Sequence, residues 1–277
     1  MPPDPDARVR AHYGSGDILE RIRSALGAAG RSVGALSVDD LAPVDEFHTR
    51  GRESTVELAE LAGLASDDVV IDVGCGLGGT ARHLAARYGC RVTGIDLTAE
   101  YVEVGNRLTG WVGMHDRVEL QHASALDLPF ADASFDVAWT EHAQMNIADK
   151  RRFYAEIARV LKPGGRLLFH DIFRGPGKAP EYPAPWAEDE SISALATEAE
   201  ARSAIDQAGL ALTDWIGKVA ESIAFFETVA ARIRTDGPPP LGIHLLMGDN
   251  AAVKLRNYVR NLSEARLIVA LGTALKR

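Results

Sequence analysis

Apolar runs alternating with helix-period segments order this chain. Residues 69–73, Val-Val-Ile-Asp-Val, break at once into Gly74-Cys75-Gly76-Leu77-Gly78-Gly79. A short apolar run bounded by glycine reads as a buried strand, and residues 80–88 continue as a helix. Further strands are expected at 91–95, 118–122, 135–139 and 166–170, with a helix at 149–160 that stops at Leu161-Lys162-Pro163-Gly164-Gly165. A capped helix at 197–208 ends at Gly209, a sixth strand follows at 210–215, and 266–275 alternates as a seventh, pairing antiparallel with the sixth at the sheet edge. Strands alternating with helices predict an α/β fold, a doubly wound, seven-stranded, mostly parallel sheet.

The organisation follows from where this pattern stops. Residues 1–65, with helices at 17–28 and 54–61, form a lid and lead-in, and 66–216 form the core. Residues 217–263, helical at 218–234 and 250–262 around Gly237-Pro238-Pro239-Pro240, are an insertion read as a cap over the site, and 264–277 return as the last strand. The Pro- and Gly-rich stretch 175–186 is a loop where an acceptor enters.

Gly74, Gly76 and Gly79 satisfy G-x-G-x-x-G, and Asp96 follows Gly76 by twenty residues at the end of a strand, placed to hold a ribose diol. Two ligand classes compete for this turn. The carboxylate of Asp72 would repel the pyrophosphate of NAD but attract the ammonium of a methionine moiety. S-adenosylmethionine, cationic and free of phosphate, fits better, and Gly78 adds the close spacing G-x-G-x-G. An NAD-dependent oxidoreductase is the alternative, without a Tyr-x-x-x-Lys arrangement to support it. A noncatalytic S-adenosylmethionine-binding protein is the third.

The order of motifs downstream, Ser124-Ala125-Leu126-Asp127-Leu128-Pro129-Phe130, then Thr140-Glu141-His142, then Leu161-Lys162-Pro163-Gly164-Gly165, resembles the class I S-adenosylmethionine-dependent methyltransferases. Asp45-Glu46-Phe47-His48-Thr49-Arg50-Gly51, the stretch from His142 to Lys150, and Tyr182-Pro183-Ala184-Pro185-Trp186-Ala187 look like the sarcosine/dimethylglycine methyltransferase-like group. The resemblance implies methyl transfer to a small-molecule acceptor, on N, O or C, including acceptors of natural-product pathways. It implies that Asp72 faces the methionine end with Arg50 on its carboxylate, and that Asp96 accepts from the ribose. Leu97 then packs on the adenine, with Ala125 and Leu126 at its edge and Glu141 counted with the cofactor side. Ser124 stands where similar enzymes usually carry an acid, so the adenine amino group passes to backbone or to Asp127. Tyr13, ahead of a lid helix, is implied to reach the acceptor.

Methyl transfer asks for alignment, exclusion of water and removal of a proton. His142, after the fourth strand, is the candidate base, since imidazole accepts a proton near neutral pH. Gln144 and Trp186 are candidates for the acceptor pocket, Asn146 for a helix cap, and Phe225 and Phe226 for helix packing or an aromatic wall. Glu141, His142, His170 and Asp171 are acids and histidines at strand ends without diagnostic metal spacing, so no metal is expected.

Composition narrows the partners. Among 277 residues, 30 Lys and Arg face 39 Asp and Glu, a net charge of −9, with no dense basic run. That argues against a phosphate-dominated nucleic-acid partner. No apolar stretch has transmembrane length and residues 1–6 hold no apolar signal core, so a cytoplasmic location is expected. Cys75 and Cys90 read as free buried thiols. The cap is also a candidate homodimer surface.

Overall fold

The structure is a computed structural model describing residues 5–277. The reading of the extreme amino end as lacking a signal core lies, through residue 4, outside the described residues. Seven strands form one sheet: β1 (Val69–Val73), β2 (Arg91–Asp96), β3 (Val118–His122), β4 (Phe135–Glu141), β5 (Leu161–Arg174), β6 (Leu210–Gly217) and β7 (Leu267–Lys276). Their order is β3-β2-β1-β4-β5-β7-β6. β1 pairs parallel with both β2 and β4, and β7 runs antiparallel between β5 and β6. The strand order reverses at β1 and β4, and in such sheets the crevice outside the carboxyl ends at that point takes the ligand.

Both faces of the sheet are covered, and the two-residue side-chain period assigns residues to them. Val70, Val92, Val137, Trp139 and Leu168 pack with Leu58 of α4 (Arg52–Ala62) and Ala81 and Leu84 of α5 (Gly79–Tyr88). Their neighbours Ile71, Ala138, Leu167 and Phe169 join the opposite core. There they meet Phe153 and Ile157 of α7 (Lys150–Val160) and Ala201 and Ile205 of α8 (Glu198–Gln207). Asp149 caps α7 by accepting from the Arg152 N–H at 2.9 Å, and Thr197 with Glu200 forms a capping box on α8.

Four α-helices lie where the apolar pattern assigned none: α1 (Pro5–Tyr13), α3 (Val38–Asp45), α6 (Ala99–Trp111) and the short α10 (His244–Met247). α3 tolerates Pro43 inside it because Ser37 and Asp40 cap its start reciprocally and Leu41 and Val44 are buried. β5 also differs from its expected extent. Leu161 already pairs with Phe135, the register shifts across Pro163-Gly164-Gly165, and Arg166 then pairs with Val137, so the expected turn is a bulge within a longer strand.

The lid is a satellite core. Ile18, Ile22 and Leu26 of α2 (Ile18–Ala28), Leu41 and Val44 of α3, and Tyr101, Val104 and Leu108 of α6 pack together. The cap comprises α9 (Val219–Asp236), α10 (His244–Met247) and α11 (Ala251–Ser263). Tyr258 and Leu262 of α11 pack on Ile172, Val269 and Trp186. Among the described residues, no helix is long and apolar enough to cross a membrane.

Candidate active site

A cavity of about 440 Å³ opens at the carboxyl ends of β1, β2 and β4, beneath the lid and cap. Of the residues singled out in the sequence, Tyr13, Asp72, Gly74, Gly76, Asp96, Leu97, Ser124, Ala125, Leu126, Glu141, His142 and Trp186 line it. Arg50, Gly78 and Gln144 are among those that do not. Arg50 gives its guanidinium to Glu57 at 2.7 Å, a carboxylate also held by Lys218 at 2.6 Å. Gly78, at φ 79° before α5, serves packing: a Cβ there would lie 2.7 Å from Leu120 Cδ1. Gln144 is buried, with its side-chain amide donating to the Ile172 carbonyl at 2.7 Å.

The glycine turn has its own amides engaged. Gly74 and Cys75 both donate to the Ile95 carbonyl at 2.9 Å, and Gly78 donates to the Cys75 carbonyl at 2.8 Å. Gly76 donates to Asp96 Oδ2 at 2.9 Å. These four amides are therefore not free for a pyrophosphate, which binds through such N–H groups. Gly74, at φ 82°, cannot carry a side chain, because a Cβ would stand 2.5 Å from that of Ala143.

Two carboxylates face the cavity floor. Asp72 is 2% exposed, and its Oδ2 has no hydrogen-bond partner among the described residues. Burial, with Glu141 and Asp96 nearby, pushes its carboxyl well above the usual range. Asp96 accepts from Gly76 and, at 2.8 Å, from the Thr98 N–H; burial raises it too, against those bonds. Ser124 Oγ is taken by the Leu126 N–H at 3.2 Å. Asp127, the fallback for an adenine amino group, does not line the cavity, and its side chain is 91% exposed.

His142 follows directly on β4 at φ 49°, a left-handed conformation held by its N–H on the His170 carbonyl at 2.9 Å. Its Nε2 accepts a long bond of 3.4 Å from the Thr49 N–H. Burial, then His170 and His48, holds the imidazole well below its usual pKa. Glu141 Oε2 accepts from the hydroxyls of Thr55 at 3.0 Å and Thr80 at 2.8 Å and from Trp139 Nε1 at 3.0 Å. Burial pushes Glu141 upward, but His48, His170 and Trp139 together hold it below the usual carboxylate range. His48 also lines the cavity; in the sequence it stood only inside a motif, with no local spacing linking it to Glu141.

The lid reaches the site through Tyr13, whose hydroxyl donates to Asn146 Oδ1 at 2.9 Å. Asn146 in turn donates to the carbonyls of Trp186 and Ile192, both at 2.9 Å, so it is a clamp and not the expected helix cap. Phe47, Tyr101, Phe226 and Tyr258 add aromatic wall, whereas Phe225 stays outside. Asp171 spends its oxygens on the N–H groups of Ala143, Gln144 and Ile172. Among the described lining residues there is no Lys or Arg.

Comparison with known proteins agrees with this geometry. The family described as "Methyltransferase domain" matches residues 71–169. The probable chloroplastic tocopherol O-methyltransferase of Oryza sativa subsp. japonica is 43% identical over 36% of this chain and 27% of its own length. The glycine/sarcosine/dimethylglycine N-methyltransferase of Actinopolyspora halophila is 33% identical over 47% of this chain and 23% of its own. The chain thus spans about a quarter of the length of these two relatives. The crystal structure of geranyl diphosphate C-methyltransferase from Streptomyces coelicolor A3(2) superposes over 100% of both chains with a TM-score of 0.72 at 19% identity, a likeness of fold. Residues 71–169 thus match a methyltransferase domain, set within a sheet of order β3-β2-β1-β4-β5-β7-β6.

Proposed function

We propose that this protein transfers a methyl group from S-adenosylmethionine to a small neutral or cationic acceptor of specialised metabolism, with His142 taking the acceptor's proton. One observation carries the reading: the cavity floor presents the bare carboxylate oxygen of Asp72 beside Asp96, and no lining side chain among those described is Lys or Arg.

The donor set fits the methyl donor. A buried carboxylate with an unused oxygen suits an ammonium or sulfonium, and Asp96 keeps lone pairs for two ribose hydroxyls beyond its bonds to Gly76 and Thr98. Leu97, Ala125 and Leu126 would border the adenine. When bound, S-adenosylmethionine supplies an electrophilic methyl on a sulfonium. The chain's own residues do the rest: Trp186, Phe226 and Tyr258 hold an apolar acceptor and exclude water, and Tyr13 closes the lid on Asn146. His142, neutral because burial depresses its pKa, takes the proton that an oxygen or nitrogen acceptor loses, exchanging the long Thr49 contact for it.

The relatives named above act on oxygen, nitrogen and carbon, so the cavity itself has to discriminate. Its lack of cations speaks against a diphosphate or phosphate acceptor. Calorimetric titration with S-adenosylhomocysteine and with NAD, followed by a labelled-methyl screen of phenols, amines and a prenyl diphosphate, tests the reading. Binding of S-adenosylhomocysteine alone and transfer to a phenol or amine are expected. NAD binding alone, or transfer confined to the diphosphate, would overturn it, and cofactor binding with no transfer to any class would favour a noncatalytic role.

A further inference from the structure

His48, Glu141 and His170 come from separate parts of the chain, yet each offers a donor atom within 4.8 Å of the others. The methyl-transfer chemistry uses none of these contacts. Three donors occupy Glu141 Oε2 and fix the plane of the carboxylate. That leaves Oε1 without a hydrogen-bond partner among the described residues, 3.5 Å from Nδ1 of His48 and 3.5 Å from Nδ1 of His170. Both ring nitrogens of His170, a side chain 0% exposed, are likewise without partners. A buried polar atom left bare costs about 1–3 kcal/mol, and here two such atoms, Glu141 Oε1 and His170 Nδ1, face each other at 3.5 Å.

The spacing suits an ion. Tetrahedral ligands at about 2.1 Å from a metal stand roughly 3.4 Å from each other, close to the 3.5 Å from Glu141 Oε1 to each histidine, with all three donors within 4.8 Å. Ser54 Oγ lies 3.2 Å from His48 Nδ1 and gives its proton to the carbonyls of Thr49 and Gly51, so it can accept from an Nδ1–H; an ion takes the other tautomer, with the proton on Nε2 facing Thr55 Oγ1 at 3.4 Å and the Nδ1 lone pair free. His48 and Glu141 line the cavity, which gives an ion its way in.

We propose that His48, Glu141 and His170 bind a divalent transition-metal ion of the zinc or iron(II) class, with a coordination position left open on the cavity side. Two imidazoles and a carboxylate select such ions, whereas Mg²⁺ prefers an all-oxygen shell. The hydroxyls of Thr55 and Thr80 and the indole of Trp139 are the outer shell that orients the carboxylate. The metal-free expectation from the sequence grouped Glu141 and His142 with His170 and Asp171; Asp171 is consumed by backbone N–H groups and His48 takes its place.

The test reads metal directly and does not depend on methyl transfer. The full chain, stripped with chelator, is titrated with Co²⁺ and then Zn²⁺, followed by visible absorption and elemental analysis, with circular dichroism melts on every variant. Expected are one ion per chain, ligand-field bands that Zn²⁺ displaces and Mg²⁺ does not, and loss of uptake in His170→Ala and Glu141→Gln. Thr80→Val should weaken binding roughly tenfold to a hundredfold. Should His170→Ala fail to fold, His48→Asn, at the cavity wall, makes the same comparison. No uptake by the wild type, displacement by equimolar Mg²⁺, or equal uptake in a folded ligand variant would overturn the proposal.

Discussion

Arg82 of α5 and Asp45 at the end of α3 form an ion pair enclosed on all sides, Nη2 to Oδ2 2.6 Å, with both side chains 0% exposed. The same guanidinium bonds the Leu77 carbonyl at 2.7 Å and the Gly105 carbonyl at 3.1 Å, joining lid, glycine turn and α6. Arg82→Met leaves Asp45 buried and uncompensated, a change that typically costs about 3–5 kcal/mol. A chemical denaturation midpoint indistinguishable from wild type would show that the pair does not hold the lid.

Asp72 is predicted to lose a proton when the methyl donor binds. Burial raises its proton affinity in the free protein, and a nearby cation favours the ionised form, so any proton the free carboxyl holds is released on binding. Calorimetric enthalpies should therefore differ between phosphate and Tris, and the difference should vanish in Asp72→Asn. That variant should also bind S-adenosylmethionine about tenfold to a hundredfold more weakly, the worth of a charged hydrogen bond.

Asp96 does two jobs, and its variants separate them. Asp96→Asn keeps one oxygen for one of the two backbone N–H groups, turns an NH2 on the other and loses the charge toward the ribose, so affinity for S-adenosylhomocysteine should fall by roughly tenfold or more. Asp96→Ala additionally frees the N–H groups of Gly76 and Thr98 and should lower the melting temperature further. Equal melting of the two variants would mean that the turn does not depend on this carboxylate.

His142→Ala should leave cofactor affinity nearly intact and lower turnover on the order of a hundredfold or more. Because burial depresses the imidazole pKa, the base is already neutral at pH 7. The rate should stay flat through neutral pH and fall only in acid below the usual histidine range. The sign for stability is the same: the unfolded chain protonates first, so the fold loses stability as pH drops below about 6.5. A rate that titrates near pH 6.5 or above would remove His142 from the proton's path.

Much of the sheet was legible because its signals are local. Apolar runs bounded by glycine gave β1 to β4 nearly to the residue, and Asp72, Asp96 and His142 stand at strand ends that any parallel sheet turns toward one crevice. What escaped depends on distant partners. Pro43 argues against α3 until Leu41 and Val44 find the core. Arg50 sits in a motif that suggests a carboxylate ligand, yet Glu57, one helical turn into α4, claims it first. Asn146 has the sequence position of a cap, but the hydroxyl that engages it comes from Tyr13. His48 carries no periodic or spacing signal at all; only folding sets it beside Glu141.

The placing of β7 beside β6 has a consequence for how such a protein changes its substrate. Gly217 pairs with Ala270, and the Lys218 N–H donates to the Val269 carbonyl at 2.7 Å. The cap therefore leaves and re-enters the sheet side by side, as the overgrown loop of an antiparallel hairpin whose stem is closed without it. Loop-closure entropy rises only slowly with length, so segments of other sizes fit the same stem. Yet Phe226, Ile243, Leu246, Leu255 and Tyr258, all from this excursion, line the cavity, on the side proposed for the acceptor. Exchange of that one loop would recast the acceptor while the glycine turn, Asp72 and Asp96 stay untouched: an interchangeable module mounted on a fixed donor.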